Sequence, residues 1–240
     1  MTGNQISITF QNTNNFTYAI EFNSDNSRIC GYSLDNFGNQ SPIVWDAVTG
    51  NQISISFQNI SSGASANSFN SDNSRICGQY INSNLYKPIV WNAVTGAQIS
   101  ISFQNTTYGG GANRFNSDNS RICGFYTDNN TNQFPIVWNA VTGNQISITF
   151  QNTTNGGIAN SFNSDNSLIC GLYYTTSGLF FPIVWNAVTG AQISISFQNT
   201  TNGGIASSFS SDNSRICGYY TNNSGRPFPI IWDAVTGKQL

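Results

Sequence analysis

The chain has 240 residues, 38% of them hydrophobic and only 8% charged, about a third of the usual ~25% charged share. A net charge of −2 with no basic block argues against a nucleic-acid surface and a polybasic membrane patch. No apolar run approaches the ~20 residues of a membrane span, the opening MTGNQISITF does not read as a signal peptide, and there is no histidine to act as general base or metal ligand.

The first predicted element, Ile6-Ser7-Ile8-Thr9-Phe10, alternates apolar and polar residues with period two, as a half-buried strand does. The pattern returns at Gln52–Gln58 (QISISFQ), because the chain repeats. Tryptophans fall at Trp45, Trp91, Trp138, Trp185 and Trp232, spaced 46, 47, 47 and 47. Cysteines fall at Cys30, Cys77, Cys123, Cys170 and Cys217, spaced 47, 46, 47 and 47. Five units of 46–47 residues therefore account for nearly the whole chain, and a period of that length signals a repeat architecture.

The second unit shows the elements in order. Gln52–Gln58 is predicted as a strand, and a Ser/Gly/Asn-rich connection leads to a segment ending at Phe69. The turn Ser71-Asp72-Asn73-Ser74 cuts it off. Arg75–Tyr80 (RICGQY) is the next strand, in which Gly78 marks a close backbone approach or a bulge. After a polar loop, Pro88 opens the strand Ile89–Trp91, a position where no ladder donor is lost. Val94-Thr95-Gly96 closes a tight turn, with glycine supplying a positive φ. No stretch keeps a 3.6-residue period over ten residues, so the class is all-β.

A four-stranded unit of this length cannot bury both faces of its own sheet, and stacking neighbours around an axis solves that. The expected fold is a single domain over residues 1–240: a five-bladed β-propeller of four-stranded antiparallel blades. Thr2-Gly3-Asn4-Gln5 opens the chain at the phase where Thr236-Gly237-Lys238-Gln239 ends it. Residues 4–10 are therefore expected to supply the outer strand of the last blade, closing the ring and hiding a strand edge.

The order F-x-S-D-x-S-R-I-x-G followed by I-V-W-[DN]-A-V-T-G resembles the WD-repeat family, with Trp-Asp at 45–46 and 232–233 and Trp-Asn elsewhere. The Gly-His dipeptide of typical WD repeats is absent. The stretch GGIANSFNSDNSLICGLYY, then FPIVW, is also similar to the HAF-type probable extracellular repeats. Both resemblances imply a propeller, and neither implies a particular ligand.

The tryptophans and the Ile-Cys pairs read as inter-blade core. Stacked sheets lie ~10 Å apart while a disulfide needs Cα atoms within ~7 Å, so the cysteines are expected to stay free. Asp25, Asp72, Asp118, Asp165 and Asp212 read as turn residues. Arg28, Arg75, Arg121 and Arg215 follow three residues on as exposed partners, with Leu168 in the fourth unit. One carboxylate per unit suits neither a calcium site nor a catalytic pair, so no catalytic residue, metal ligand or cofactor is assigned.

Length and sequence vary most between each Cys and the following Trp. Tyr80, Tyr126, Tyr173 and Tyr220 recur at the head of these variable segments and are the candidate binding residues. Asn59, Asn105, Asn152 and Asn199 occupy one repeat position as N-x-[ST] sequons, candidates for glycosylation if the protein is secreted. The functional expectation is a non-enzymatic scaffold that binds a protein or other ligand through the variable-loop face. The alternatives are a lectin-like multivalent carbohydrate-binding module and a structural building block that assembles by strand exchange. The partner is expected to be a protein or glycan, with no nucleic acid and no membrane insertion, and the chain is expected to be a monomer unless strands exchange. The compartment stays open: free cysteines fit a reducing one, sequons and the HAF resemblance an extracellular one.

Overall fold

A computed structural model describes residues 9–11 and 16–240. Among these no helix forms, and the strands build five antiparallel sheets. The first sheet is β1 (Thr17–Phe22), β2 (Arg28–Leu34) and β3 (Gln40–Asp46). The second is β4 (Ala64–Phe69), β5 (Arg75–Asn82), β6 (Leu85–Asn92) and β7 (Gln98–Ile99). The third is β8 (Gly110–Phe115), β9 (Arg121–Thr127) and β10 (Gln133–Asn139). The fourth is β11 (Gly157–Phe162), β12 (Leu168–Tyr174), β13 (Phe180–Asn186) and β14 (Gln192–Ile193). The fifth is β15 (Gly204–Phe209), β16 (Arg215–Thr221) and β17 (Pro227–Asp233). In every sheet the strands lie side by side in chain order.

Register explains how the sheets stack. Cys77 pairs with Val90, and Ile76 with Trp91. Because side chains alternate across a strand, Cys and Val share one face while Ile and Trp share the other. The two faces of successive sheets then meet. Cys30 and Val44 pack against Ala66, Phe69, Ile76, Ile89 and Trp91 of the second sheet. The same set recurs between the second and third, third and fourth, and fourth and fifth sheets. The core is one kind of seam used four times. The tryptophans are its largest buried side chains, and Cys30, Cys77, Cys123 and Cys170 are fully buried and unbridged.

The Phe-Gln segment of each unit closes the seam. Phe57 meets the Trp91 ring edge-on at 5.2 Å, and the Trp91 Nε1–H donates to the Gln58 carbonyl at 2.9 Å. The Gln58 side-chain oxygen accepts the backbone N–H of Gln98 at 2.9 Å. This corrects the expectation of a strand over Gln52–Gln58. Gln52 bridges to Trp45, and the Ile53 N–H reaches the Val44 carbonyl at 2.8 Å. The chain then leaves the sheet, because Phe57 and Gln58 are engaged on the next sheet. The fourth strand shrinks to two residues at β7 and β14 and to a single bridge in the other sheets.

Phe10 and Gln11 do for Trp45 what Phe57 and Gln58 do for Trp91. The Phe10 and Trp45 ring centroids are 5.4 Å apart, and the Trp45 Nε1–H donates to the Gln11 carbonyl at 3.0 Å. Residues 4–8 of the expected closing strand lie outside the described residues; Phe10, at its described end, packs on Trp45 of the first sheet, and closure of the ring by this segment is not seen. The place beside Trp232 and Ile231 is held by Gln239 and Leu240, with the Leu240 N–H on the Ile231 carbonyl at 3.0 Å.

Gly78 satisfies both of its expected roles. Register slips between Ala66 and Ser68 on the facing strand, a bulge, and that strand comes so close that a Cβ on Gly78 would lie 2.0 Å from the Ser65 carbonyl oxygen.

Candidate functional site

The variable loops share one end of the stack with the connections that lead into β4, β8, β11 and β15. Tyr80, Tyr126, Tyr173 and Tyr220 lie in β5, β9, β12 and β16 rather than in the loops, half-buried against the core of their own unit. Each faces a cross-strand partner: Lys87, Phe134, Phe181 and Phe228. Tyr126 stacks on Phe134 at 5.5 Å and Tyr220 on Phe228 at 5.8 Å. The four tyrosines sit on four separate sheets and do not converge. Only Tyr220 lines one of the loop-end cavities described below.

Two shallow polar cavities open at the loop end. One of about 340 Å³ is lined by Asn199, Asn202, Tyr220, Asn222 and Asn223. Another of about 430 Å³ spans the seam of the third and fourth sheets and is lined by Gln133, Asn155, Tyr174 and Thr176. Here the tyrosine is Tyr174, one residue beyond the repeating Tyr173, and its hydroxyl donates to Gln133 Oε1 at 3.3 Å across the seam.

The opposite end is built from repeated turns. Asp72 Oδ1 accepts the Ser74 N–H at 2.9 Å, and Asn73 takes a left-handed φ of 62°, which asparagine tolerates. The Ser74 hydroxyl and N–H together hold the Asp72 carboxyl below its ordinary range. Each turn also grips the next one: the Ser24 N–H donates to Asn73 Oδ1 at 3.0 Å and the Ser71 N–H to Asn119 Oδ1 at 2.8 Å. Among the described residues these arginines form no close ion pair with the aspartates and act on Asp25, Asp72 and Asp118 only as a minor charge influence, which corrects the sequence reading. The Arg28 guanidinium lies over the Phe69 ring of the next sheet at 5.3 Å, and Arg75 over Phe115 at the same distance. Leu168 replaces this contact with apolar packing against the fifth sheet's core, which includes Phe209.

The sequon residues Asn59, Asn105, Asn152 and Asn199 are exposed, each with a left-handed φ of about 60°. Their amides bond to the side-chain oxygens of Gln98, Gln145, Gln192 and Gln239.

Sequence reasoning missed a polar cluster on the axis. The inner strands carry Ser68, Ser161 and Ser208 at one repeat position, but Glu21 and Arg114 in the first and third sheets. Arg114 Nη2 lies 2.5 Å from Glu21 Oε1, while Nη1 donates to Ser161 Oγ at 3.0 Å and Ser208 Oγ at 2.6 Å. One guanidinium thus ties together the first, third, fourth and fifth sheets. Burial pushes the Glu21 carboxyl above its ordinary value, and Arg114 only partly offsets it. Glu21 Oε2 is buried without a hydrogen-bond partner. Asn67, Asn113 and Asn160 complete the axial wall by donating to the carbonyls of Ala112, Ala159 and Ala206 on the next inner strands. The signal was present as a departure from the repeat.

Burial raises the Cys123 thiol to about 12, so it is protonated at neutral pH. Among the described residues no three His, Cys, Asp or Glu side chains gather to hold a metal ion.

No protein-family model matches the chain, and no curated protein sequence does. Solved structures do. TolB from Acinetobacter baumannii superposes with a TM-score of 0.72 at 13% identity, over 93% of this chain and 53% of its own. A chain of the nidogen/laminin complex matches with a TM-score of 0.63 at 12% identity, over 93% of this chain and 78% of its own. The β-propeller domain of the trilobed protease from Pyrococcus furiosus, described as having an open velcro topology, matches with a TM-score of 0.55 at 11% identity, over 94% of this chain and 71% of its own. The fold is a β-propeller. It is the fold both sequence resemblances implied, with five sheets as its blades. The chain spans about half the length of the TolB chain.

Proposed function

We propose that this propeller is a non-enzymatic scaffold that binds a protein or other ligand on its variable-loop face. One observation carries the reading: variation in length and sequence is greatest at one end of the blades. The other end is committed to repeated turn-to-turn hydrogen bonds such as Ser24 to Asn73 and Ser71 to Asn119. Loops that differ from blade to blade around a rigid frame are suited to recognition, and the two polar cavities lie there. The test is a displayed-peptide library and a glycan array probed with the folded chain. A peptide ligand lost when residues 174–178 and 222–225 are replaced by Gly/Ser supports the reading. A glycan lost in the same variant shifts it to the lectin-like alternative. Binding that survives those replacements but fails in a Ser117→Ala/Asp118→Ala variant overturns it.

A second reading, a building block for larger assemblies, is favoured by a separate observation: the first and fifth blades each keep an apolar face exposed.

A further inference from the structure

We infer that the exposed faces of the fifth and first blades are the two halves of one seam, and that a second copy of this chain fills it head to tail. The inference rests on the second reading above and is independent of the loop-face proposal. The four interior seams show what each half requires. On the fifth blade, Cys217 and Pro229 are exposed where their equivalents in the other four blades are buried. Ile231 is 45% exposed, while Val44, Val90, Val137 and Val184 are fully covered. On the first blade, Ala19 is exposed where Ala66, Ala112, Ala159 and Ala206 are fully buried. Phe22 is 53% exposed against 6% for Phe69 and 5% for Phe115.

These are the residues that meet each other elsewhere in the chain. Cys30 and Val44 pack on Ala66 and Phe69, so Cys217 and Ile231 present the matching surface for Ala19 and Phe22. The polar contacts are matched too. Arg28, Arg75 and Arg121 each lie over the next blade's phenylalanine, and Arg215 is exposed at the same repeat position. The turn N–H that Ser24, Ser71, Ser117 and Ser164 give to the next turn's asparagine is offered at Ser211 in the fifth blade, and the receiving asparagine in the first is Asn26. One contact is not kept: Ser207 stands where Asn67, Asn113 and Asn160 clasp the next inner strand. Among the described residues, no set of close contacts joins β1 to β15, β16 or β17. The axial cavity of about 460 Å³, lined by the inner-strand residues Ile20, Asn67, Asn113, Asn160 and Ser207 of the five blades, extends to Cys217 and Tyr219 of the fifth. A contact that joins unlike faces is heterologous, so it propagates from copy to copy until the rotation closes.

The test uses an Ala19→Cys variant and a short bis-maleimide. Covalent dimers and higher species, linked from the introduced thiol of one copy to Cys217 of the next, are expected, and they should be lost when Cys217→Ser is added. Mixing Ala19→Cys/Cys217→Ser with the parent is expected to give heterodimers alone. In parallel, the light-scattering mass of the parent should at least double on concentration. Phe22→Asp and Arg215→Glu, both at exposed positions, should each hold it at the monomer value. Cross-links found only within single chains would show that the ring closes on itself and overturn the inference. An unchanging monomer mass would overturn it as well. Neither result touches the loop-face reading, because Phe22 and Arg215 lie off that face.

Discussion

Replacing Gly171 by alanine is expected to lower the melting midpoint by on the order of 10 °C. A Cβ there would stand 2.0 Å from the Ile158 carbonyl oxygen and 2.9 Å from Cζ3 of Trp185. The oxygen belongs to the backbone of β11, and Trp185 is fully buried, so neither can step aside without opening a blade. Overpacking of this severity costs about 3 kcal/mol, and each kcal/mol moves a chain of this size by about 2–4 °C. Gly178→Ala separates sterics from conformational preference. That glycine has φ +78° but nothing within 4 Å of its Cβ position, so its replacement should cost only the ~1–2 kcal/mol of a left-handed alanine. Equal losses at the two positions would show that the close approach in the blade is not limiting.

Arg114→Met should destabilise the protein by about 3 kcal/mol at neutral pH, because it leaves the Glu21 carboxylate mostly buried without its counter-charge. The pH dependence gives this loss a signature. The folded-state value of Glu21 already lies above 4.5. The folded chain therefore keeps that proton to higher pH than the unfolded chain, and this group's effect on stability worsens as pH rises through that window. Removing Arg114 takes away an influence that lowers the value, so the window widens upward. The difference between parent and variant should be smallest near pH 4 and largest at pH 7, measured by urea unfolding. Adding Glu21→Gln should recover much of the loss at pH 7. A penalty independent of pH and not relieved by Glu21→Gln would mean that Arg114 acts through packing and its serine hydrogen bonds alone.

The parts of the fold that were legible in the sequence are those each unit specifies by itself. Gly78 announced a close approach, Asn73 and its equivalents announced a turn, and Trp91 and Cys77 announced a core. The expected outer strand over Gln52–Gln58 was not formed as such, because alternation reports which side chains are half-buried, not what buries them. Ile53 pairs with its own sheet, while Phe57 is claimed by the next one. The arginines were misread for the same reason, since their partners lie a full unit away at Phe69, Phe115 and Phe162. Glu21 and Arg114 escaped notice because attention to what recurs passes over what departs. The candidate tyrosines Tyr80, Tyr126, Tyr173 and Tyr220 stood out by recurrence, and the structure places them half-buried on four separate sheets. Nor does composition distinguish Cys217 from Cys170: the cover over Cys170 is supplied by the following blade, and among the described residues the fifth blade has no such cover.

That difference makes the thiols the most direct probe of a core built from one repeated seam with its last half open. Native protein, dilute enough to be monomeric, would be treated briefly with a maleimide and mapped by peptide mass spectrometry. One adduct, on Cys217, is expected under native conditions, and adducts on Cys30, Cys77, Cys123 and Cys170 only after unfolding. Rapid labelling of all five would contradict the seams, and a protected Cys217 in the dilute monomer would contradict the open half.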